Sequence, residues 1–194
     1  MNFLAHLLLS DDFGPVMVGN FMGDFVKGKQ VEQYPPAVQR GIWLHRTIDQ
    51  FTDTHAVVRQ SKERLRPRFR HYAGVVSDMF YDHYLAVSWE QYGPNTLEEF
   101  TQKAYQVLQG ARKQMPTRAQ FMLPYMIQHD WLVSYREIEG IRRSLTGMAR
   151  RTGFRSGMEH AHEELKEQYE AYANDFHAFF PDLVQHAKQF LLNG

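Results

Sequence analysis

Ionisable side chains recur at helical spacing in two apolar segments of the chain. Residues 41–53 carry His45 and Asp49 four positions apart, and a later apolar segment carries Asp78 and Asp82 at the same spacing. Side chains four residues apart lie on one face of an α-helix, so each segment predicts a pair of neighbouring polar groups. Two such faces that pack together could bind one metal ion through nitrogen and oxygen ligands.

The segment around Asp78 and Asp82 is apolar over much of its circumference, which predicts a buried helix. A buried carboxylate without a partner is costly, so both aspartates need a cation, a hydrogen-bond donor or a metal. The sequence offers Arg46, His45 and His6 as partners. The alternative is a buried arginine–aspartate network that only joins two helices.

Two further groups extend the candidate metal site. Asp24 lies beside Gly19 and Gly23, whose spacing allows another helix to approach closely, and His6 interrupts an apolar first segment. Taken singly, Asp24 could face solvent and His6 could be a hydrogen-bonded core histidine. Together with the two acidic segments, they favour a metal site.

Composition restricts the ligands and the partners. The chain has 194 residues, about the size of one domain, and Lys+Arg balances Asp+Glu at 22 each. The bulk charge therefore indicates neither a nucleic acid nor a membrane surface as partner. The absence of cysteine excludes thiolate metal sites and disulfides, and leaves Mn²⁺, Mg²⁺, Fe²⁺ or Zn²⁺ bound by histidine and aspartate. Residues 1–9 are too short and too interrupted for a signal or membrane segment, which predicts a cytoplasmic protein.

Apolar residues at three- and four-residue steps predict a single-domain, all-α bundle over residues 1–194. The predicted helices span residues 2–10, 14–27, 36–58, 71–92, 96–113, 119–134, 136–150 and 157–192. Asn95 is the expected cap of the fifth helix, and the last helix carries an aromatic stripe that is typical of a buried face.

A basic stretch follows the first acidic segment. It contains Arg59, Lys62, Arg64, Arg66, Arg68 and Arg70, interrupted by one acidic residue, Glu63. Such a stretch predicts an acidic partner, which it would attract through salt-sensitive forces. The alternative is a solvated charged turn around Pro67.

Several motifs resemble those of the acyl carrier protein phosphodiesterase family. The matching segments are Met1–Leu7, Gly19–Asn20, Gly23–Val26, His45–Asp49, Thr52–Asp53, Asp82–His83, Trp131–Arg136 and Gly147–Ala149. The resemblance implies hydrolysis of the phosphodiester between 4′-phosphopantetheine and a serine of holo-acyl carrier protein, with a divalent metal that is typically Mn²⁺. It also implies an all-helical fold distantly related to HD-type phosphohydrolases. The one contiguous His-Asp pair, His129-Asp130, lies outside the main motifs and is interpreted as a chance match.

Each candidate residue has an expected role in such a reaction. The metal ligands are expected to be Asp24, His45, Asp78 and Asp82, with His6 as a further ligand. Arg46 would contact the phosphate as a permanently charged donor, and Asp49 would orient Arg46 or His45 or bind the metal directly. His83 would protonate the departing serine oxygen.

Two other functions are compatible with the sequence. The chain could be an HD-like phosphohydrolase of a small phosphodiester or nucleotide, in which case the basic stretch has no partner. It could also be a non-catalytic helical module that binds an acyl carrier protein, with its carboxylates serving as core ion pairs.

Overall fold

The computed structural model describes residues 1–193, which form α-helices joined by turns and short 3₁₀ segments, without a β-strand among them. The α-helices are α1 (Phe3–Leu8), α2 (Pro15–Phe21), α3 (Pro36–Thr54), α4 (Ala56–Phe69), α5 (Ala73–Val87), α6 (Trp89–Tyr92), α7 (Leu97–Ala111), α8 (Thr117–Gln128), α9 (Trp131–Ser134), α10 (Ile138–Arg151), α11 (Ala161–Glu167) and α12 (Tyr169–Asn193). The 3₁₀ segments are Gly23–Phe25, Gly28–Gln33, Arg70–Tyr72, Arg112–Gln114 and Met158–His160. The prediction of an all-α fold is confirmed.

Helices α2 and α3 touch through their backbones. A Cβ atom added to Gly19 would lie 2.1 Å from the carbonyl oxygen of Val38, and one added to Gly41 would lie 2.1 Å from that of Val16. A Cβ at Gly23 would lie 2.2 Å from Cγ of His45. The predicted close approach at Gly19 and Gly23 is therefore confirmed, and it brings the polar residues of α3 against the end of α2.

Helix α5 crosses the core, and α12 packs against it and against α3 and α4. The side chains of Met79, Phe80 and Tyr81 on α5 are fully buried, as are Phe176 and Phe179 on α12. The buried α5 and the buried aromatic stripe of α12 were both predicted correctly. Along residues 1–193, no helix combines the length and the apolar character that a membrane crossing requires.

The predicted boundary between the first acidic segment and the basic stretch was wrong. The helix expected over residues 36–58 ends at Thr54, because His55 adopts an extended conformation with ψ of 133°. A new helix, α4, then continues to Phe69 and includes Pro67 in its last turns. The basic stretch is therefore mostly helical, not a turn around Pro67.

Other predicted helices are shorter than expected or divided. The helix expected over residues 14–27 stops at Phe21, and Asp24 lies in the following 3₁₀ turn. The helix expected over residues 119–134 divides at Asp130, whose φ of +40° is left-handed. Breaks also divide the helices expected over residues 71–92 and 157–192.

The cap of α7 is Thr96, not Asn95. The hydroxyl of Thr96 accepts a hydrogen bond from the backbone N–H of Glu99 at 3.2 Å, and the Glu99 carboxylate accepts one from the backbone N–H of Thr96 at 3.2 Å. Asn95 lies one position earlier, with a positive φ of 54°. The reciprocal pair satisfies two backbone donors at the start of the helix.

Candidate metal centre and its cleft

Two histidines and one aspartate from α1 and α3 meet in a cluster that could hold a metal ion. Potential ligand atoms of His6, His45 and Asp49 all lie within 4.8 Å of one another. Asp49 bridges the histidines, with Oδ1 3.2 Å from Nε2 of His6 and Oδ2 3.2 Å from Nε2 of His45. The two imidazole rings stack with centroids 4.0 Å apart. The predicted neighbours His45 and Asp49 are thus joined by His6 from a different helix.

Asp24 adds a second carboxylate to this cluster. Its Oδ1 lies 3.2 Å from Nε2 of His45, and its side chain is 65% exposed. The 3₁₀ turn that follows α2 places the carboxylate there, with Gly23 packed against the His45 ring. The structure therefore brings together four of the predicted site residues, His6, Asp24, His45 and Asp49.

Asn20 fixes the orientation of both imidazole rings. Nδ1 of His6 donates to the Asn20 side-chain Oδ1 at 2.9 Å, and Nδ1 of His45 donates to the Asn20 backbone oxygen at 2.8 Å. The Asn20 amide is itself oriented, since its Nδ2 donates to the backbone oxygen of His6 at 2.6 Å and to Oγ of Ser10 at 3.0 Å. With Nδ1 used as a donor, each ring presents Nε2 to the cluster. Asn20 has no role predicted from the sequence, although an asparagine within an apolar helical segment indicates a buried polar contact.

Charges in the cluster are strongly coupled. Burial alone lowers the pKa of His45, but hydrogen bonds to Asp24 and Asp49 outweigh it and raise the pKa to about 9. Burial opposes ionisation of Asp49, yet the hydrogen bond from His45 and the adjacent His6 ring hold its pKa well below the ordinary value. The hydrogen bond from His45 likewise lowers the pKa of Asp24. The two carboxylates thus remain ionised and favour a positive charge between them.

The residues fit a divalent metal ion. Burial, followed by the charge of His45, lowers the pKa of His6, so its ring is neutral and Nε2 carries a lone pair. That nitrogen is buried and has no well-aligned hydrogen-bond partner among residues 1–193, although Asp49 lies close. Two imidazole nitrogens and two carboxylates form a donor set that suits Mn²⁺, Fe²⁺ or Zn²⁺ better than Mg²⁺.

Through Asp24 and Asp49, the cluster borders a cleft of about 920 Å³ with acidic and basic walls. The acidic wall contains Asp24, Asp49, Asp53 and Asp78. The basic wall comes from α8 and α10, and its cleft arginines are Arg118, Arg143, Arg150 and Arg151. All four are exposed, and none forms an ion pair within the part of the chain that the structure describes. These arginines are not predicted from the sequence, because they do not form a contiguous basic segment.

Asp78 and Asp82 bind the first residues of the chain and not the histidine cluster. Asp78 lines the cleft, with Oδ1 2.9 Å from the amino group of Met1. Asp82 is fully buried and accepts backbone hydrogen bonds from Leu4 at 2.7 Å and from Asn2 at 3.2 Å. Burial raises the pKa of Asp82 to about 7, against the opposing effects of the Met1 ammonium and the backbone donors.

Asp82 thus caps α1 from a distant helix, and it holds His6 in place indirectly. Ala5 donates a third, longer backbone hydrogen bond to it, at 3.4 Å. The structure thus shows Asp78 and Asp82 in contact with residues 1–5 and apart from the histidine cluster, and the metal-binding roles expected for them stay a prediction.

His83 and Arg46 contact other parts of the protein, although both were expected to contact the substrate. His83 is buried, with Nδ1 donating to the backbone oxygen of Tyr135 at 2.8 Å and Nε2 lying 3.0 Å from the hydroxyl of Tyr169. Arg46 donates from Nη2 to the backbone oxygen of Val26 at 3.1 Å and lies over the ring of Trp43. Neither His83 nor Arg46 lines the cleft. Both hold neighbouring segments in place.

Half of the basic stretch is engaged in ion pairs. Lys62 pairs with Asp53 at 2.6 Å, and Arg64 pairs with Asp175 at 2.7 Å. Arg68 contacts a group of glutamates around α11, namely Glu163, Glu164 and Glu167. The remaining members, Arg59, Arg66 and Arg70, are exposed. None of the six predicted partner-binding residues lines the cleft.

His129-Asp130 does not join the histidine–aspartate cluster. His129 lines the cleft from the end of α8, while Asp130 occupies the left-handed turn before α9. Within residues 1–193, the group that could hold a metal consists of His6, His45 and Asp49. The dipeptide therefore has no part in the candidate metal centre.

Comparison with known proteins gives a consistent result. Residues 1–183 match the family model described as acyl carrier protein phosphodiesterase. The chain is 35% identical over 189 residues to a protein of that name from Enterobacter sp. (strain 638), covering 97% of this chain and 98% of the relative. Over 190 residues it is 34% identical to the protein of that name from Escherichia coli O45:K1 (strain S88), with the same coverage of both chains. No solved structure matches the chain, so the expected kinship with HD-type phosphohydrolases stays a prediction.

Proposed function

Because the chain belongs to the acyl carrier protein phosphodiesterase family, we propose that it hydrolyses the phosphodiester between 4′-phosphopantetheine and a serine of holo-acyl carrier protein. The protein is a phosphoric diester hydrolase, and the products of this reaction are apo-acyl carrier protein and 4′-phosphopantetheine. The observation that carries the proposal is the position of the His6–His45–Asp49 cluster on a cleft that also holds arginines.

The cleft supplies what a phosphodiester requires. A phosphodiester is anionic and resists attack, so its hydrolysis needs an activated nucleophile and neutralisation of the non-bridging oxygens. The cleft arginines are the positive groups that can neutralise those oxygens, and their guanidinium groups are always charged. They take over the role that the sequence analysis expected of Arg46.

We propose that His6, His45, Asp24 and Asp49 hold a divalent ion, most consistently Mn²⁺, which would supply Lewis-acid chemistry to the phosphate and to water. Asn20 keeps Nε2 of both imidazoles directed into the cluster. Asp49 keeps the two imidazoles at a fixed separation through its two oxygens. In this proposal, Asp78, Asp82 and His83 position α1 and α5 and do not touch the substrate.

We further infer that residues 1–194 act as one catalytic domain, since the buried apolar residues that the structure describes form one core. The expected place of action is the cytoplasm, where a carrier protein of fatty acid biosynthesis would be the substrate.

The test is mass spectrometry of purified holo-acyl carrier protein incubated with the protein and Mn²⁺, with and without a chelator. We expect the carrier to lose the mass of its phosphopantetheine group, and we expect the chelator to prevent that loss. The variant H45A should be inactive, whereas H160A, which changes an exposed histidine outside the cleft, should be active. An unchanged carrier under all conditions would refute the proposal.

A second candidate function is hydrolysis of a small phosphodiester, favoured by a cleft of about 920 Å³ that would accommodate a nucleotide-sized molecule. A panel of small diesters, assayed with Mn²⁺ beside holo-carrier, separates the two functions. Turnover of the diesters without turnover of the carrier would favour the small substrate.

A further inference from the structure

The charges of the cleft exceed what a phosphodiester needs. The diester linkage carries one negative charge, and the two carboxylates of the cluster balance a divalent ion by themselves. The two other cleft aspartates, Asp53 and Asp78, are already paired with Lys62 and with the amino group of Met1. The cleft arginines still contribute four positive charges, and the structure shows no ion pair for any of them among residues 1–193. A ligand with several negative charges matches this surplus.

The cleft arginines of α10 share one helix face. Arg143 precedes Arg150 and Arg151 by seven and eight residues, so the three side chains lie on the same side of the helix. Arg118 of α8 lines the same cleft. The four arginines thus line the same cleft as Asp24 and Asp49 of the candidate metal centre.

Gly147 lies within this face, between Arg143 and Arg150, and also lines the cleft. A Cβ atom added there would meet no atom within 4 Å, so packing inside the protein does not require glycine. Glycine in a helix interior is less favourable than alanine. A bound partner that approaches the backbone closely would explain why the position lacks a side chain.

Exposed aromatic residues lie on the same helix as Arg118. Phe121 and Tyr125 lie one turn apart on α8, and their side chains are 69% and 60% exposed. Aromatic residues and arginine are enriched in protein interfaces and among the residues that contribute most of the binding free energy. The surface therefore has the features of a protein-binding site as well as of an anion-binding site.

We propose that the cleft arginines, together with Gly147, Phe121 and Tyr125, form the docking surface for an acidic face of the carrier protein. This inference rests on the proposed function and assigns its partner surface to α8 and α10. It replaces the basic stretch of α4, half of which is occupied by internal ion pairs and none of which lines the cleft.

The experiment measures the affinity of the protein for apo-acyl carrier protein, which has no phosphodiester, so that docking is separated from hydrolysis. The double reversal R143E/R150E should weaken binding by at least about ten-fold and should make binding less sensitive to salt. The control K103E/K113E changes the charge by the same amount at exposed lysines outside the cleft and should leave the affinity unchanged. Circular dichroism checks that each variant is folded.

The α4 surface is tested in parallel with R59E/R66E. A larger loss of affinity in this variant than in R143E/R150E would overturn the docking surface proposed here. Equal affinity of R143E/R150E and the unmodified protein would also overturn it.

Gly147 gives a second, milder test. The variant G147A should raise Tm, because alanine favours the helix, and should still weaken carrier binding. The matched variant G110A adds a Cβ that meets no atom within 4 Å on α7, and it should leave binding unchanged. Unchanged carrier binding by G147A would contradict the close approach of the partner.

Failure of docking and failure of hydrolysis give different results. Cleavage of holo-carrier with a Michaelis constant that R143E/R150E does not change would overturn the docking surface alone. Arginine-dependent binding of apo-carrier without any cleavage of holo-carrier would support the docking surface and overturn the proposed hydrolysis.

Discussion

Helices α3 and α5 both carry two ionisable residues four positions apart, but these residues have different partners. His45 and Asp49 on α3, like Asp78 and Asp82 on α5, lie four residues apart on a largely apolar helix. The α3 pair meets His6 and forms the candidate metal centre. The α5 pair binds the amino group of Met1 and the backbone donors of α1. Spacing thus predicts which side chains are adjacent, whereas the packing of other helices determines what they bind.

Removal of a charge should therefore affect mainly activity in the α3 pair and mainly stability in the α5 pair. D49N should lower kcat for holo-carrier by roughly 1000-fold, about 4 kcal/mol in the activation barrier. The reason is the loss of the carboxylate that contacts both histidines and would bind the metal. Without metal, its unfolding midpoint in urea should fall somewhat, because the charge of Asp49 that the histidines stabilise in the folded state is lost. Steady-state kinetics by mass spectrometry check this, and activity near that of the unmodified protein would remove Asp49 from the site.

D82N should act mainly on stability. The amide is isosteric but provides a single acceptor oxygen, so buried backbone donors of α1 lose their partner, at a cost of about 3 kcal/mol in the free energy of unfolding. Urea denaturation monitored by circular dichroism measures the loss. If D82N is as stable as the unmodified protein but does not bind Mn²⁺, Asp82 is a metal ligand after all and the contrast with α3 fails.

The effect of Mn²⁺ on thermal stability should also differ between variants of α3 and variants of α5. At a concentration one hundred times its dissociation constant, a metal that binds only the folded state stabilises it by about 2.7 kcal/mol. Thermal unfolding should therefore show a higher Tm with Mn²⁺ for the unmodified protein and for D78N, and no increase for D49N. An increase that is lost in D78N but kept in D49N would reverse the assignment of the two helices.

The smallest expected effect concerns Asn20, which contacts both histidines without being a ligand. N20A removes the acceptor of Nδ1 of His6 but keeps the backbone oxygen that accepts from His45. Loss of such a supporting hydrogen bond weakens metal affinity by about 10- to 100-fold. Competition with a metal-binding dye measures the affinity. The variant S77A, at another buried polar side chain outside the cluster, is the control and should bind the metal normally.

The sequence was a good guide where local periodicity decides the structure. The helical period predicted the all-α fold, the buried α5 and the adjacency of His45 and Asp49. The helical period did not predict the breaks at His55 and Asp130. Each of these residues leaves the helical conformation, and neither is a proline or a glycine. The cysteine-free composition also restricted the candidate ligands to nitrogen and oxygen donors, and the cluster in the structure is consistent with that restriction.

The sequence could not predict which residues reach the cleft. The cleft arginines are separated from the histidine cluster by many residues, and no local pattern links Arg118 to Arg143. In contrast, the contiguous basic stretch predicted a partner-binding surface, although Arg64 forms an ion pair with α12 and Arg68 forms one with α11. Long-range pairing depends on the packing of whole helices, which a local charge pattern does not encode.

By itself, the sequence determined that the chain is helical, which residues share each helix face, and which family it resembles, because these properties depend on local spacing and on motif identity. The tertiary structure alone decided that His6 joins His45 and that Asp82 caps α1. The physical reason is the close contact of α2 with α3 at Gly19 and Gly41, where only glycine allows the backbones to meet. That contact fixes the relative positions of side chains that lie far apart in the chain.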